Sequence, residues 1–346
     1  MTPFPAQAPW PVLKLLQVHC QGEIGKVIVE GAPPVPGATM MEKMAAINHG
    51  HDSLRRFVTL EPRAHAAMSV NLLVPPTRPD ADAGFIVLQS DRAHPMSGSN
   101  CLCVVTALLE SRQVPMCEPR TVLHLDTPAG LVRAVAHCAN GRCLTVTLRN
   151  VAAFAHHLAH PVNTRKWGRM AVDIAFGGVY YALVNVRDIG LEIRPEHARD
   201  LAEAGAALKR EIAAQVSVRH PDLPGVDTIA YVMFRDIEPD GAVRTCTILD
   251  PARVDRSPCG TGSSANLATL YARGLVRRGD TRVSRSIGGG EFTLHVADTC
   301  TVGEHAAIIP EITGSAWIYG REELRIDPTD PFPQGFALSD TWGAPA

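Results

Sequence analysis

The chain contains no run approaching the roughly 18 apolar residues that a membrane-crossing helix needs, so nothing in it reads as a helical span. It also lacks an excess of either charge: 33 Lys and Arg face 35 Asp and Glu, for a net charge of −2 and a pI near 6.7. That balance removes the electrostatic case for nucleic acid or an anionic membrane as partner. The first residues, MTPFPAQAPWPVLKLLQVHC, lack a basic lead, a long apolar core and a small-residue cleavage site. They read as an arm entering a first strand, not as a signal peptide. There is no CxxC, and the nine cysteines, an odd number, have the spacing of neither a disulfide framework nor a zinc knuckle. A reducing, cytoplasmic setting follows, with most of the thiols acting as small buried hydrophobes. His19 and Glu23 lack a third metal ligand, so no metal is expected. No glycine-rich segment is followed by Gly-Lys-Ser/Thr, which excludes a Walker loop. Short-period repeats and low-complexity tracts are missing too.

What is present is 346 residues, 46% of them apolar, enough for two domains each with a real core. Short strand-like runs separated by Pro and Gly turns fill 12–18, 26–29, 67–73, 84–89, 121–125, 131–137 and 143–148. The style repeats at 169–176, 180–186, 228–232, 242–248, 282–286 and 292–296. Helices are fewer. One is expected at 39–49, and an amphipathic one after Pro195 carries Leu201, Leu208 and Ile212 on one stripe. Two more, at 101–110 and 264–272, are apolar on nearly every face, as expected of central helices wrapped by strands.

Each of these two buried helices is headed by a short Gly-containing segment with a nucleophilic side chain: Ser97 in Pro95-Met96-Ser97-Gly98-Ser99-Asn100, and Cys259 in Asp255-Arg256-Ser257-Pro258-Cys259-Gly260-Thr261-Gly262. The order strands, Gly turn, buried helix, strands thus occurs twice. It implies two related α/β halves with a cleft between them: residues 1–163 carrying Ser97, with 310–346 packing back on them, and residues 164–309 carrying Cys259. The free N–H groups of two helix starts suit a carboxylate, and the two side chains can take and give a proton. A thiol at a helix N-terminus is expected to have a lowered pKa. Cys259 also reads as a buried structural cysteine, and its glycine-rich segment as a phosphate cradle. Ser97 alone reads as an ordinary N-cap, and His94 is the candidate to activate it. Asp255 suits a substrate ammonium or a turn. Arg63 reads as an interior ion-pair partner. The Gly177-Gly178 pair before Tyr180 and Tyr181 suits either an aromatic wall or a bulge.

Taken together these segments resemble the proline racemase family over nearly the whole chain. Its His-Thr-x-Gly-Glu is here His19-Cys20-Gln21-Gly22-Glu23, and its Glu-Pro-Arg-Gly-His is Glu61-Pro62-Arg63-Ala64-His65. Its Met-Cys-Gly-His is Met96-Ser97-Gly98-Ser99, and its Asp-Ile-Ala-Tyr-Gly-Gly spans Asp173 to Gly178 with Phe176 for the tyrosine. Its Asp-Arg-Ser-Pro-Cys-Gly-Thr-Gly matches Asp255 to Gly262 without change. The C-terminal 327–332, with Gly335 and Phe336, is similar as well.

The resemblance implies two pseudo-symmetric α/β (α+β) domains, each a curled, mostly antiparallel sheet around a central helix, diaminopimelate-epimerase-like, with the active site in the interdomain cleft. It implies cofactor-independent chemistry on a small imino acid, with Ser97 and Cys259 exchanging protons at Cα. Gly98, Ser99, Gly260 and Thr261 would hold the carboxylate and Asp255 the ring nitrogen. A homodimer is the family-level expectation. The departure is Ser97, a hydroxyl where the family has a thiol. The expected activity is hydroxyproline 2-epimerisation, of trans-4-hydroxy-L-proline and also of the 3-hydroxy isomer. The alternative is dehydration of trans-3-hydroxy-L-proline, a lyase reaction. From other classes come a silent imino-acid-binding protein and, more weakly, a thiol hydrolase acting through Cys259.

Overall fold

The computed structural model describes residues 12–327 and 329–338; the N-terminal arm expected ahead of the first strand lies outside them. In chain order the first unit contains β1 (Leu13–Cys20), β2 (Glu23–Glu30), α1 (Met40–Asn48), α2 (Ser53–Thr59), β3 (Met68–Val74), β4 (Ala83–Leu88), β5 (Ala93–His94), α3 (Gly98–Glu110), β6 (Arg120–Thr127), β7 (Gly130–Ala139) and β8 (Arg142–Arg149). The second contains β9 (Ala153–Thr164), β10 (Gly168–Phe176), β11 (Tyr180–Asn185), α4 (Ala198–Ala213), β12 (Ile229–Ile237), β13 (Val243–Leu249), β14 (Arg253–Val254), α5 (Gly260–Ala272), β15 (Thr281–Ser286), β16 (Glu291–Val302) and β17 (His305–Gly314). The last strand, β18 (Ala316–Leu324), returns to the first unit.

The two units repeat one pairing scheme. In the first, β18, β1 and β2 are antiparallel neighbours, β2 runs parallel to β3, β3 antiparallel to β4, β4 parallel to β6, and β6, β7 and β8 antiparallel in turn. In the second, β9, β10 and β11 are antiparallel, β11 is parallel to β12, β12 antiparallel to β13, β13 parallel to β15, and β15, β16 and β17 antiparallel. A two-residue strand, β5 or β14, pairs beside β4 or β13 and leads into the central helix of its unit. In the second unit β17 also pairs with β9, so the sheet closes on itself around α5.

Composition explains why α3 and α5 are central. From Gly98 to Leu109 no residue carries a charge and all are buried, so α3 exposes no face that water would favour. In α5 the residues from Gly260 to Thr269 are buried except the half-buried Thr261. The amphipathic α4 behaves differently. Its stripe of Leu201, Leu208 and Ile212 is buried, and Gly205 lets it approach β13 closely enough that an added Cβ would meet Ile248 Cβ at 2.8 Å. The core of the first unit gathers Leu13, Leu15, Ile28, Phe57, Leu72 and Ile86.

The boundary expected at 163/164 is corrected. The units divide after Leu148 and again after Gly314. The stretch near 161–167 is the end of a hairpin: β9 runs to Thr164 and folds back on β10, with Gly168 opposite Thr164 and Ala171 opposite Pro161. The described tail after β18 packs on the first unit. Glu61 and Phe336 exchange backbone hydrogen bonds of 3.1 and 2.9 Å. Arg63 donates to Phe57 O and Phe332 O, both at 2.8 Å, and pairs with Asp330 at 3.2 Å. Arg63 is therefore a tie between α2 and the tail.

Candidate active site

Ser97 is the N-cap residue of α3, in extended backbone, yet its side chain makes no capping hydrogen bond. The hydroxyl faces away from that routine duty. Its Oγ accepts from Asn100 Nδ2 at 3.0 Å and lies 3.3 Å from Ser99 Oγ. Asn100 is itself fixed: its Oδ1 accepts from Asn71 Nδ2 at 2.9 Å, and both asparagines are buried. Gly25 makes room for this pair, since a Cβ there would meet Asn100 Oδ1 at 2.6 Å. A donor on Oγ stabilises negative charge on the oxygen, so Asn100 makes Ser97 a better acid. The first intrahelical bond is Cys101 N to Ser97 O at 2.9 Å, and helix geometry leaves the N–H groups of Gly98, Ser99 and Asn100 without intrahelical acceptors. His94, the expected activator, turns its Nε2 to Asp91 at 3.0 Å.

Cys259 occupies the equivalent place on α5, and again the N-cap side chain makes no capping bond. Its φ of 62° puts a non-glycine residue in the left-handed region, a strained conformation that favours glycine. A ladder of hydrogen bonds holds it there. Asp255 Oδ1 accepts from Ser257 N at 2.8 Å and Ser257 Oγ at 2.9 Å, and Ser257 Oγ accepts from Cys259 N at 3.1 Å. The run from Asp255 to Cys259 thus has a structural reason: Asp255 fixes Ser257, and Ser257 fixes the Cys259 backbone. The first intrahelical bond, Ser263 N to Cys259 O at 2.8 Å, leaves Gly260 and Thr261 as N–H donors at the helix start.

The thiol is not acidic, contrary to the expectation from its helix position. Burial pushes it up to about 12 and the Asp255 charge adds to the rise; hydrogen bonds from Tyr181, Thr247 and the Gly262 N–H oppose this without reversing it. Desolvation of a buried thiolate outweighs the helix terminus here. Cys259 rests as a thiol, a proton donor.

In the sequence Tyr181 reads only as part of an aromatic wall or a bulge after Gly177-Gly178. Its hydroxyl lies 3.5 Å from Cys259 Sγ and 2.7 Å from Thr261 Oγ1. The two helix starts use opposite solutions. At Ser97 the helix supplies the donor, Asn100, and the strand supplies glycine, Gly25. At Cys259 the strand supplies the donor, Tyr181, and the helix supplies glycine: a Cβ on Gly262 would lie 3.1 Å from both Cys259 Sγ and Tyr181 Cε1. The pair Gly177-Gly178 serves the same approach. A Cβ on Gly177 would run into Thr261 O and sit 2.6 Å from Ala265 N, so only glycine lets the start of α5 lie on the β10–β11 turn. Asp173, in the matching segment, is buried and held by Arg235 and by Arg273 at 2.7 and 2.8 Å. It is a structural anchor. His19 stacks on Trp317 at 5.2 Å.

A strand-wrapped helix headed by a side chain that carries a proton is thus built twice in one chain, with Ser97 at one start and Cys259 at the other. The chain belongs to the proline racemase family, which it matches over residues 15–337. It is 53% identical over 338 residues to a 4-hydroxyproline 2-epimerase of Allorhizobium ampelinum, covering 97% of each chain. It is 50% identical over 336 residues to a 4-hydroxyproline 2-epimerase of Agrobacterium fabrum, covering 96% of this chain and 97% of that one. Among solved structures, a hydroxyproline epimerase from Agrobacterium vitis with bound trans-4-hydroxy-L-proline superposes with a TM-score of 0.89 at 52% identity, covering 97% of this chain and 99% of that one. Among the described residues no helix is long and apolar enough to cross a membrane.

Proposed function

We propose that the protein is a cofactor-independent hydroxyproline 2-epimerase that inverts Cα of trans-4-hydroxy-L-proline, with Ser97 and Cys259 as the two proton-exchanging groups. The observation that carries this reading is the repeated helix start. Two side chains of the right chemistry occupy the same place in two copies of one scheme, and neither spends itself on capping.

The N–H groups of Gly98, Ser99, Gly260 and Thr261 hold the substrate carboxylate and stabilise the charge that builds on it as Cα loses its proton. Asp255 takes the ring ammonium. That contact has a second effect. The Asp255 charge is one of the two things holding the thiol up, and a cation seated against it cancels that contribution, so substrate binding eases ionisation of Cys259. Once ionised, the Cys259 thiolate takes the Cα proton and becomes a thiol while the Ser97 hydroxyl gives its proton to the opposite face and is left as an alkoxide; the reverse reaction exchanges the roles. The nine free cysteines support a reducing, cytoplasmic setting.

The test is proton NMR of trans-4-hydroxy-L-proline in deuterated water with the purified protein. Exchange of the Cα proton and appearance of the cis-4-hydroxy-D product, with the ring hydroxyl retained, is the expected result. Loss of a ring hydroxyl from the 3-hydroxy isomer without epimer formation would make the protein a dehydratase instead.

A further inference from the structure

Tyr181 is buried on all sides, and its hydroxyl has two neighbours that cannot both receive its single proton. Thr261 Oγ1, at 2.7 Å, is within ordinary hydrogen-bond distance and can accept; Cys259 Sγ, at 3.5 Å, is at a distance suited to sulfur. A neutral thiol is a weak acceptor, so while Cys259 holds its proton the Tyr181 O–H belongs to Thr261. A thiolate is a far stronger acceptor, and the same O–H then turns to sulfur. The swing needs only rotation of the hydroxyl hydrogen, because the ring is clamped beside Gly262 and Met233.

We propose that the Tyr181 hydroxyl is a positioning relay for Cys259, changing its hydrogen-bond partner from Thr261 Oγ1 to Cys259 Sγ when the thiol loses its proton. The proposal rests on the reading of Cys259 as a proton-exchanging group, but its readout needs no substrate. Burial holds the phenol well above its ordinary pKa, so Tyr181 stays neutral and keeps a proton to donate throughout. Nothing is transferred covalently: Tyr181 lends a hydrogen bond and Cys259 alone gains or loses the proton.

The experiment measures the rate at which iodoacetamide alkylates Cys259 at pH 9, by mass spectrometry of the peptide that contains it, in the wild type, Tyr181→Phe and Thr261→Val. Removing the donor in Tyr181→Phe raises the thiol pKa by about one unit. Tenfold less thiolate, partly offset by its greater nucleophilicity, makes alkylation about threefold slower. Removing the competing acceptor in Thr261→Val commits the O–H to sulfur and speeds alkylation. A Tyr181→Phe rate equal to or above the wild-type rate overturns the relay. If Tyr181→Phe does not fold, Thr261→Val decides: a faster rate supports the relay and an unchanged or slower rate overturns it. The deuterium-exchange assay on the wild type reports separately on the epimerase reading, so a failed relay and a failed epimerase are told apart.

Discussion

Asn100 Nδ2 donates to Ser97 Oγ across 3.0 Å, and Asn71 holds Asn100 in the position to do so. This pair gives a serine, intrinsically a poorer acid than a thiol, a neutral donor aimed at the oxygen that would carry charge in the proposed reaction. Asn100→Ala is expected to lower kcat by about ten- to a hundredfold, the worth of one hydrogen bond to a charged group, with little change in KM. Steady-state epimerisation kinetics check this, with circular dichroism to confirm folding. A KM effect alone would assign Asn100 to substrate binding.

Ser97→Cys restores a thiol at the first helix start. A thiol ionises far more readily than a hydroxyl, so this variant is expected to keep epimerase activity at or above the wild-type level, while Ser97→Ala loses it almost completely. Chiral chromatography of the product measures both. Activity in Ser97→Ala equal to that of Ser97→Cys would remove the side chain from the reaction.

Gly177→Ala tests the packing that sets α5. Its Cβ would collide with backbone atoms, Thr261 O and Ala265 N, which cannot swing aside as a flexible side chain would. A loss of about 3 kcal/mol of stability is expected from overpacking of this kind. Because the strain falls on the first turn of α5, catalytic activity should drop even where the variant is folded. Urea unfolding and activity at low temperature measure the two effects.

The second unit carries a group of histidines whose charge opposes folding. Burial, reinforced by neighbouring His157 and His305, lowers His156 to about 4, and burial also lowers His157 and His220. The His156 Nδ1 is buried without a hydrogen-bond partner among the described residues. In the unfolded chain these rings take up protons near pH 6.5, so the unfolded state gains more from acidification than the folded one does. Stability is full above about pH 6.5 and falls as the pH drops toward 4. Thermal melts across pH 7.5 to 4.5 should show this decline, and His156→Gln should flatten it.

The parts of this site that were legible in the sequence are local. Ser97 and Cys259 sit in short segments whose glycines and following apolar runs announce a helix start, and the apolar character of α3 and α5 on every face announces their burial. What escaped is tertiary. Tyr181 meets Cys259 across 78 residues, and Asn71 meets Asn100 across 29, by pairings no local pattern encodes. The thiol's high pKa is hidden from the sequence for the same reason: its helix position is a local fact, whereas its desolvation is made by Tyr181, Met233 and Ala175 arriving from other strands. Strand β9 is hidden in the sequence because its histidines and Pro161 interrupt any strand-like pattern. Its pairing with β10 and β17 overrides that appearance.

The most direct measurement is the Cα proton inventory of the wild type, Ser97→Ala and Cys259→Ala, each incubated with trans-4-hydroxy-L-proline in deuterated water. The account predicts that wild-type product carries one solvent deuterium at Cα, and that neither single variant yields epimer at more than a trace. Epimer formed at the wild-type rate by either variant, or wild-type product that retains the original Cα proton, would contradict it.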